Sequence, residues 1–213
     1  MYDAKDVYYD IRIDRTMRNL KDNGFNAAYA HDIREAKDMV LGMIEPGMSV
    51  GIGGSVTVRS MGIIEELKSR GNKVFDHWEA GHTPDEVFDI RRAQITSDVF
   101  LSSTNAITMS GELINIDGTG NRVASMIFGP KKVIVVAGAN KIVETVEDGI
   151  KRARNVAAPL NSIRLNKNNS CNHTGICSDC NTRDRICKIT TIIERKPDYT
   201  DFNIVLVGED MGY

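Results

Sequence analysis

"GIGGSVTVRS", Gly51 to Ser60, joins the end of an apolar run to the start of a helical pattern, and the fold follows from how that junction is read. The overlapping "MSVGIG" predicts a short buried strand, and Val58, Met61, Ile64 and Leu67 then recur at helical spacing until Gly71 closes the helix. A strand, a glycine turn and a helix in that order set free N–H groups and the positive end of the helix dipole at the carboxyl edge of a sheet, a place suited to anions. Gly53 and Gly54 permit close backbone approach, while Ser55 and Thr57 add hydroxyl donors. The same residues also suit an ordinary turn in which Ser55 only caps the helix. The string lacks the lysine of a Walker loop and the third glycine of a dinucleotide fingerprint, which argues against nucleoside triphosphate hydrolysis.

On the N-terminal side, Val7, Ile11, Met17 and Leu20 predict one helix ending near Asn23-Gly24. Tyr29, Ile33, Ala36, Val40 and Met43 predict a second, opened by Asn26 and stopped by Pro46-Gly47. On the C-terminal side "KVFDH" reads as a strand, and Thr83-Pro84-Asp85-Glu86 is a strong helix start. "DVFLSS", "ELINID", "KKVIVVAG", "ITTIIER" and the terminal "FNIVLVGEDMGY" are β-rich, and Asn140 is read as opening a helix through Val143, Val146, Ile150 and Ala153. This alternation predicts an α/β fold with a mainly parallel sheet flanked by helices. The expected organisation is a single domain over 1–213, with an N-terminal helical pair at about 3–45 and a cysteine-rich insertion at about 168–188.

The 213 residues are 41% hydrophobic, enough for one sizeable core, and the net charge of -2 gives no electrostatic reason to expect nucleic acid or an anionic membrane as partner. No apolar run of membrane-spanning length occurs, and "MYDAKDVYYDIRIDR" lacks the pattern of a signal peptide, so a cytoplasmic location is expected. A homodimer is the expectation set by the general frequency of symmetric pairs.

A second donor-rich loop lies in "SGELINIDGTGNR". Gly118, Thr119, Gly120 and Asn121 can form another concave backbone surface, and Arg122 can set a guanidinium beside a phosphate or carboxylate. Glu209 and Asp210 follow the strand "NIVLV", so they too belong to a strand's carboxyl end, and Asn105 and Thr108 are weaker candidates of the same kind. Asp117-Gly118 as a plain turn, and Arg122 or the two acids as surface pairs, are the competing readings. His31, His77 and His82 have no nucleophile pattern nearby and are read as surface or supporting groups.

"GIGGSVT", the block from Ser97 to Val143, "AAPLNSIRL" and "VGEDMGY" together resemble the LUD-domain family of lactate utilization proteins, also called LutC/YkgG-like. The resemblance implies a fold similar to the NagB/RpiA/CoA-transferase group, whose members hold sugar phosphates, CoA esters or folates at glycine loops. It implies a role in lactate or related organic-acid oxidation, beside iron-sulfur or dehydrogenase partner proteins. Carried onto this chain, Gly53, Gly54, Ser55 and Thr57 would hold a small anionic metabolite, and the loop Gly118 to Arg122 would complete the pocket. Glu112 would be the catalytic acid, as general base or as the nucleophile of acyl/CoA-transferase-like chemistry, although the flanking pattern of that nucleophile is absent. Isomerase-like chemistry, a non-catalytic electron-transfer or assembly subunit, and a zinc-stabilised regulatory binding protein are the alternatives.

All four cysteines fall in "CNHTGICSDCNTRDRIC", at Cys171, Cys177, Cys180 and Cys187. In a reducing compartment such clustering favours a metal over disulfides. A single Cys-x-x-Cys step with two longer spacings points to a [4Fe-4S] cluster, with Zn2+ as the alternative. Arg183, Arg185 and Lys188 would offset the thiolate charge, and His173 is a spare candidate ligand. Many LUD proteins lack this insertion, so here the sequence departs from the pattern of the family it resembles.

Overall fold

The computed structural model describes residues 4–213. Residues 1–3, where the expected domain and helical pair begin, lie outside the described residues. The elements run α1 (Ala4–Asp22), β1 (Asn26–Ala30), α2 (Ile33–Gly42), β2 (Ser49–Ile52), α3 (Val56–Ser60), α4 (Ile63–Ser69), β3 (Lys73–Phe75) and α5 (Pro84–Ile95). They continue with β4 (Val99–Ser102), β5 (Ala106–Thr108), β6 (Leu113–Asp117), α6 (Asn121–Ile127), β7 (Lys132–Gly138) and β8 (Ile142–Val143). The last are α7 (Val146–Arg152), which passes through a π-helical turn at Ala153–Ala157 into α8 (Ala158–Arg164), then α9 (Ser170–Thr174), β9 (Ile189–Ile193) and β10 (Asp201–Val207).

Six strands form a wholly parallel sheet in the order β1-β10-β7-β4-β2-β3. Its central strands are apolar on both faces, as burial between two layers requires. On β7, Ile134 and Val136 join the core under α2 and α4, whereas Val133, Val135 and Ala137 join the core on the other side, with Ile13 and Leu20 of α1. A four-stranded sheet, β8-β5-β6-β9, adds Ile107, Leu113 and Ile193 to that second core. It is mixed, because β5 pairs antiparallel with β6 but parallel with β8.

The expected N-terminal helical pair is interrupted. Residues 26–30 form β1, in parallel register with Asn203 to Val207. The alanine-rich "NAAYA" favours a helix by intrinsic propensity, but pairing with a central strand overrides it. The second helix therefore starts at Asp32, whose carboxylate accepts from the N–H groups of Arg34 and Glu35, and not behind Asn26. The buried face of α1 includes Ile13, Thr16 and Leu20; Val7 and Ile11 are exposed. The helix expected from Asn140 begins later, at the Thr145 cap, because residues 139–143 form a 3-10 turn and the short strand β8. The capping box at Thr83 and Glu86 forms as expected.

Candidate functional site

The chain reverses its direction of winding between β2 and β4. From β2 it moves outward to β3 and then returns to the other side of β2, so the loops after the paired strands β2 and β4 part at their carboxyl ends. Such a switch point leaves a crevice in open α/β sheets. A cavity of about 420 Å³ lies there, walled by the turn after β2, the segment after β4, the 3-10 turn after β7, the end of β6 and α8.

Of the residues singled out in sequence, Gly53, Gly54, Ser55, Thr57 and Asn105 line this cavity, as do Gly118, Thr119, Asn121 and Arg122. The two glycine loops thus share one wall system. Gly53 fits closely: a Cβ there would lie 2.5 Å from Ser102 Oγ and 2.8 Å from Phe100 Cζ. Gly54 takes the left-handed conformation (φ 62°) against the Trp78 indole. Ser55 caps α3, its Oγ accepting from Val58 N at 3.2 Å.

Arg122 lines the cavity, but its donors are already taken. Nη1 donates to Ser103 O (3.0 Å) and Asn115 Oδ1 (2.6 Å), and Nη2 to Asn105 Oδ1 (3.2 Å) and Ile116 O (2.8 Å). With Asp117 Oδ2 3.9 Å from Nε, the guanidinium contributes charge and rigidity, and its four terminal N–H groups are spent on the frame. Asp117 in turn accepts from the N–H groups of Gly118 (2.7 Å) and Val123 (3.2 Å).

The remaining candidates lie elsewhere. Glu112 sits in the turn between β5 and β6, where its carboxylate accepts from the Thr108 and Ser110 hydroxyls. It precedes β6 whereas Asp117, at the other end of that strand, lines the cavity, a separation of roughly 16 Å at ~3.3 Å per residue. Glu112 is thus not among the residues that line this cavity. Glu209 accepts from Ile33 N (3.0 Å) at the start of α2, Asp210 is exposed, and neither lines the cavity; nor does Gly120, which serves as the left-handed N-cap of α6.

Two functional candidates escaped the sequence reading. Lys141 is only 2% exposed, and its Nζ donates to Thr57 Oγ1 (2.9 Å) and Ser103 Oγ (2.8 Å). Burial, reinforced by the nearby positive charges of Arg152 and Arg122, pushes its pKa down to about 7. His77 also lines the cavity, where burial and then the Arg91 guanidinium push it down to about 4, so the ring is neutral at neutral pH. The Nδ1 atom of His77 lies 2.9 Å from Gln94 Nε2. Both residues stand just past a strand's carboxyl end, and that position was the available signal.

Charge is distributed unevenly around the cavity. Arg91, Arg122, Lys141, Arg164 and Lys167 line it, against one carboxylate side chain, Asp117, among the described residues. Arg91 Nε is buried without a hydrogen-bond partner. Arg164 stacks over Trp78 at 3.9 Å from the ring centroid, and Arg59 packs at 4.6 Å from the same ring while pairing with Asp76.

The cysteine segment forms the adjoining wall. All four cysteines line one small pocket together with Arg154 and Asn169. Arg185 braces the loop by donating to the carbonyl oxygens of Cys180 (2.7 Å) and Cys187 (2.8 Å). Ile186 and Ala158 line both this pocket and the larger cavity. Among the described residues no group of three or more His, Cys, Asp or Glu side chains is assembled to hold a metal ion.

The sequence profile of the LUD domain matches residues 13–207. The chain belongs to the LUD-domain family. A DUF162 family protein from Deinococcus radiodurans, known from its crystal structure, is similar in fold, with a TM-score of 0.53 over 94% of this chain and 98% of that one. At 13% identity that likeness speaks for the fold alone. No curated protein matches the chain. In this LUD domain no helix among the described residues is long and apolar enough to cross a membrane.

Proposed function

We propose that this LUD domain binds a small organic acid or another small anionic metabolite in the switch-point cavity, in lactate-type or related organic-acid oxidation. The observation that carries the reading is the excess of cationic side chains over carboxylates around that cavity. A cleft lined by one sign of charge raises the local concentration of anions. Arg91 has an unused buried donor, and Arg164 and Lys167 add charge at the wall formed by α8 and the segment after it. Arg122 would then hold the frame and contribute field.

We further propose that Cys171, Cys177, Cys180 and Cys187 hold a [4Fe-4S] cluster beside the cavity. The presence of all four thiols along one small pocket supports this reading, and so does the spacing with a single Cys-x-x-Cys step. When bound, such a cluster supplies one-electron transfer. Ile186 and Ala158, shared by the two pockets, would then be the partition between electron carrier and substrate.

Anaerobically purified protein, assayed for iron, sulfide and zinc and then titrated calorimetrically with L-lactate, pyruvate and inorganic phosphate, tests both parts. The expected result is about four iron and four sulfide per chain, with saturable binding of at least one anion that weakens as salt rises. One zinc per chain in place of iron would assign the loop a structural role. Absence of saturable binding for all three anions would remove the metabolite reading.

A further inference from the structure

The cavity holds one group that passive anion binding does not require. Lys141 follows β7 in a turn whose Asn140 carbonyl is fixed by Arg152 Nε at 3.1 Å. Its side chain reaches the loops of the two neighbouring strands, so that Thr57 Oγ1 and Ser103 Oγ accept two N–H groups from Nζ. Each of these hydroxyls directs its own hydrogen to a carbonyl, Thr57 to Met211 O (3.4 Å) and Ser103 to Thr104 O (3.4 Å). The third tetrahedral position on Nζ is left over, on a residue that lines the cavity. Among the described residues Lys141 has no carboxylate partner, and the charges that act on it, Arg152 of α7 and Arg122 of α6, are of its own sign. A lysine kept only as a positive charge gains nothing from such surroundings; an amine kept neutral and aimed does.

The geometry points to Lys141 as a nucleophilic amine that forms an imine with the carbonyl carbon of a small substrate bearing a carboxylate or phosphate group. This rests on the cavity being an anion site. The Nζ lone pair adds to the carbonyl carbon, the C=O π pair moves to oxygen, and the proton lost by nitrogen goes to that oxygen. The hydroxyl then takes up one further proton and leaves as water while nitrogen closes the C=N bond. Amine, carbonyl and one proton thus become an iminium and water, with nothing oxidised or reduced. The iminium draws electrons from the neighbouring carbon, so the reaction class is proton abstraction or carbon–carbon bond change next to a carbonyl. The cationic wall would hold the substrate's anionic group and orient that carbon.

The full chain is incubated near pH 7 with sodium cyanoborohydride and one of three probes: glyoxylate, D-glyceraldehyde 3-phosphate, or acetaldehyde as the uncharged control. Intact mass and peptide mapping locate the secondary amine left by reduction. An amine of pKa about 7 is half neutral at pH 7, against about 1 in 2,500 for an ordinary lysine, so a rate advantage of roughly a hundredfold over surface lysines is expected after allowing for lower basicity. The adduct should map to Lys141, saturate with an anionic probe and diminish when inorganic phosphate or acetate is added. Preference for glyoxylate or for the phosphate ester tells a carboxylate site from a phosphate site. Lys141→Met should abolish the adduct; Lys141→Arg, which keeps charge but forms no imine, serves if the methionine variant does not fold. Labelling scattered over surface lysines, with Lys141 unmodified although calorimetry shows the probe bound, would overturn the imine and leave the anion reading standing. No binding of either anionic probe would overturn both.

Discussion

Replacing Lys141 by methionine should change how stability depends on pH, and the sign follows from burial. In the folded chain the amine has a pKa of about 7, against 10.5 for an ordinary lysine. Between those values the unfolded chain holds a proton that the folded chain has released, so folding becomes more favourable as pH rises through the window. The slope approaches about 1.4 kcal/mol per pH unit for one group, and from about pH 7.5 to 9.5 it accumulates to about 2.5 kcal/mol. Below about pH 7 both states bind the proton and the dependence vanishes. The methionine variant keeps the chain length and lacks the titration. Urea unfolding of both proteins under reductant at three pH values gives the difference in free energy, from which every group common to the two cancels. That difference should move in favour of the wild type by about 2.5 kcal/mol across the window. Parallel profiles, within about 0.5 kcal/mol, would show that Lys141 keeps its proton in the fold, and the nucleophile argument would fall with them.

Two other substitutions separate frame from site. Gly53→Ala forces a methyl group against Ser102 Oγ and Phe100, and a cost of about 1–3 kcal/mol is expected, seen as a fall in Tm of about 2–4 °C per kcal/mol; an unchanged Tm would mean the turn after β2 yields freely. Glu112→Gln should leave anion binding within about twofold of wild type, because its partners are the hairpin hydroxyls, and a tenfold loss in calorimetry would return Glu112 to the site.

The sequence disclosed the frame better than the chemistry. Continuous β-rich apolar runs marked β4, β7 and β10, and the Thr83 box marked α5, because these signals are local and agree with the final packing. β1 was hidden because its alanines carry helix propensity, and only the long-range partner β10 makes them a strand. Gly53 and Arg122 were legible as neighbours of a cavity, but not in what they do there. Whether a guanidinium is free or spent depends on where Asn105, Asn115, Ser103 and Ile116 place their oxygens, which no spacing reveals. Lys141 was passed over for a related reason. Asn140 looked like a helix cap, which would have sent the lysine to an exposed helical turn, whereas Asn140 Oδ1 accepts from Met211 N at 3.2 Å and a 3-10 turn carries the lysine inward.

The division of labour among the basic residues follows from how each is satisfied. Arg122 donates to four protein oxygens and ties the loop after β4 to β6, whereas Arg152, donating to the carbonyls of Asn140 and Asn105, ties the loop after β4 to the one after β7. Their charge remains even though their donors are used, and it falls on the one buried amine nearby. A buried cation surrounded by cations costs free energy unless it releases its proton or meets an anion. In the proposed reaction both outcomes would serve the same end: an arriving anion would be attracted by the fixed guanidiniums, and the amine that has shed its proton would have a lone pair to use on its carbonyl carbon. The frame that looked like an anion grip in sequence is thereby the device that tunes Lys141, and Arg91 keeps a buried Nε with no protein acceptor.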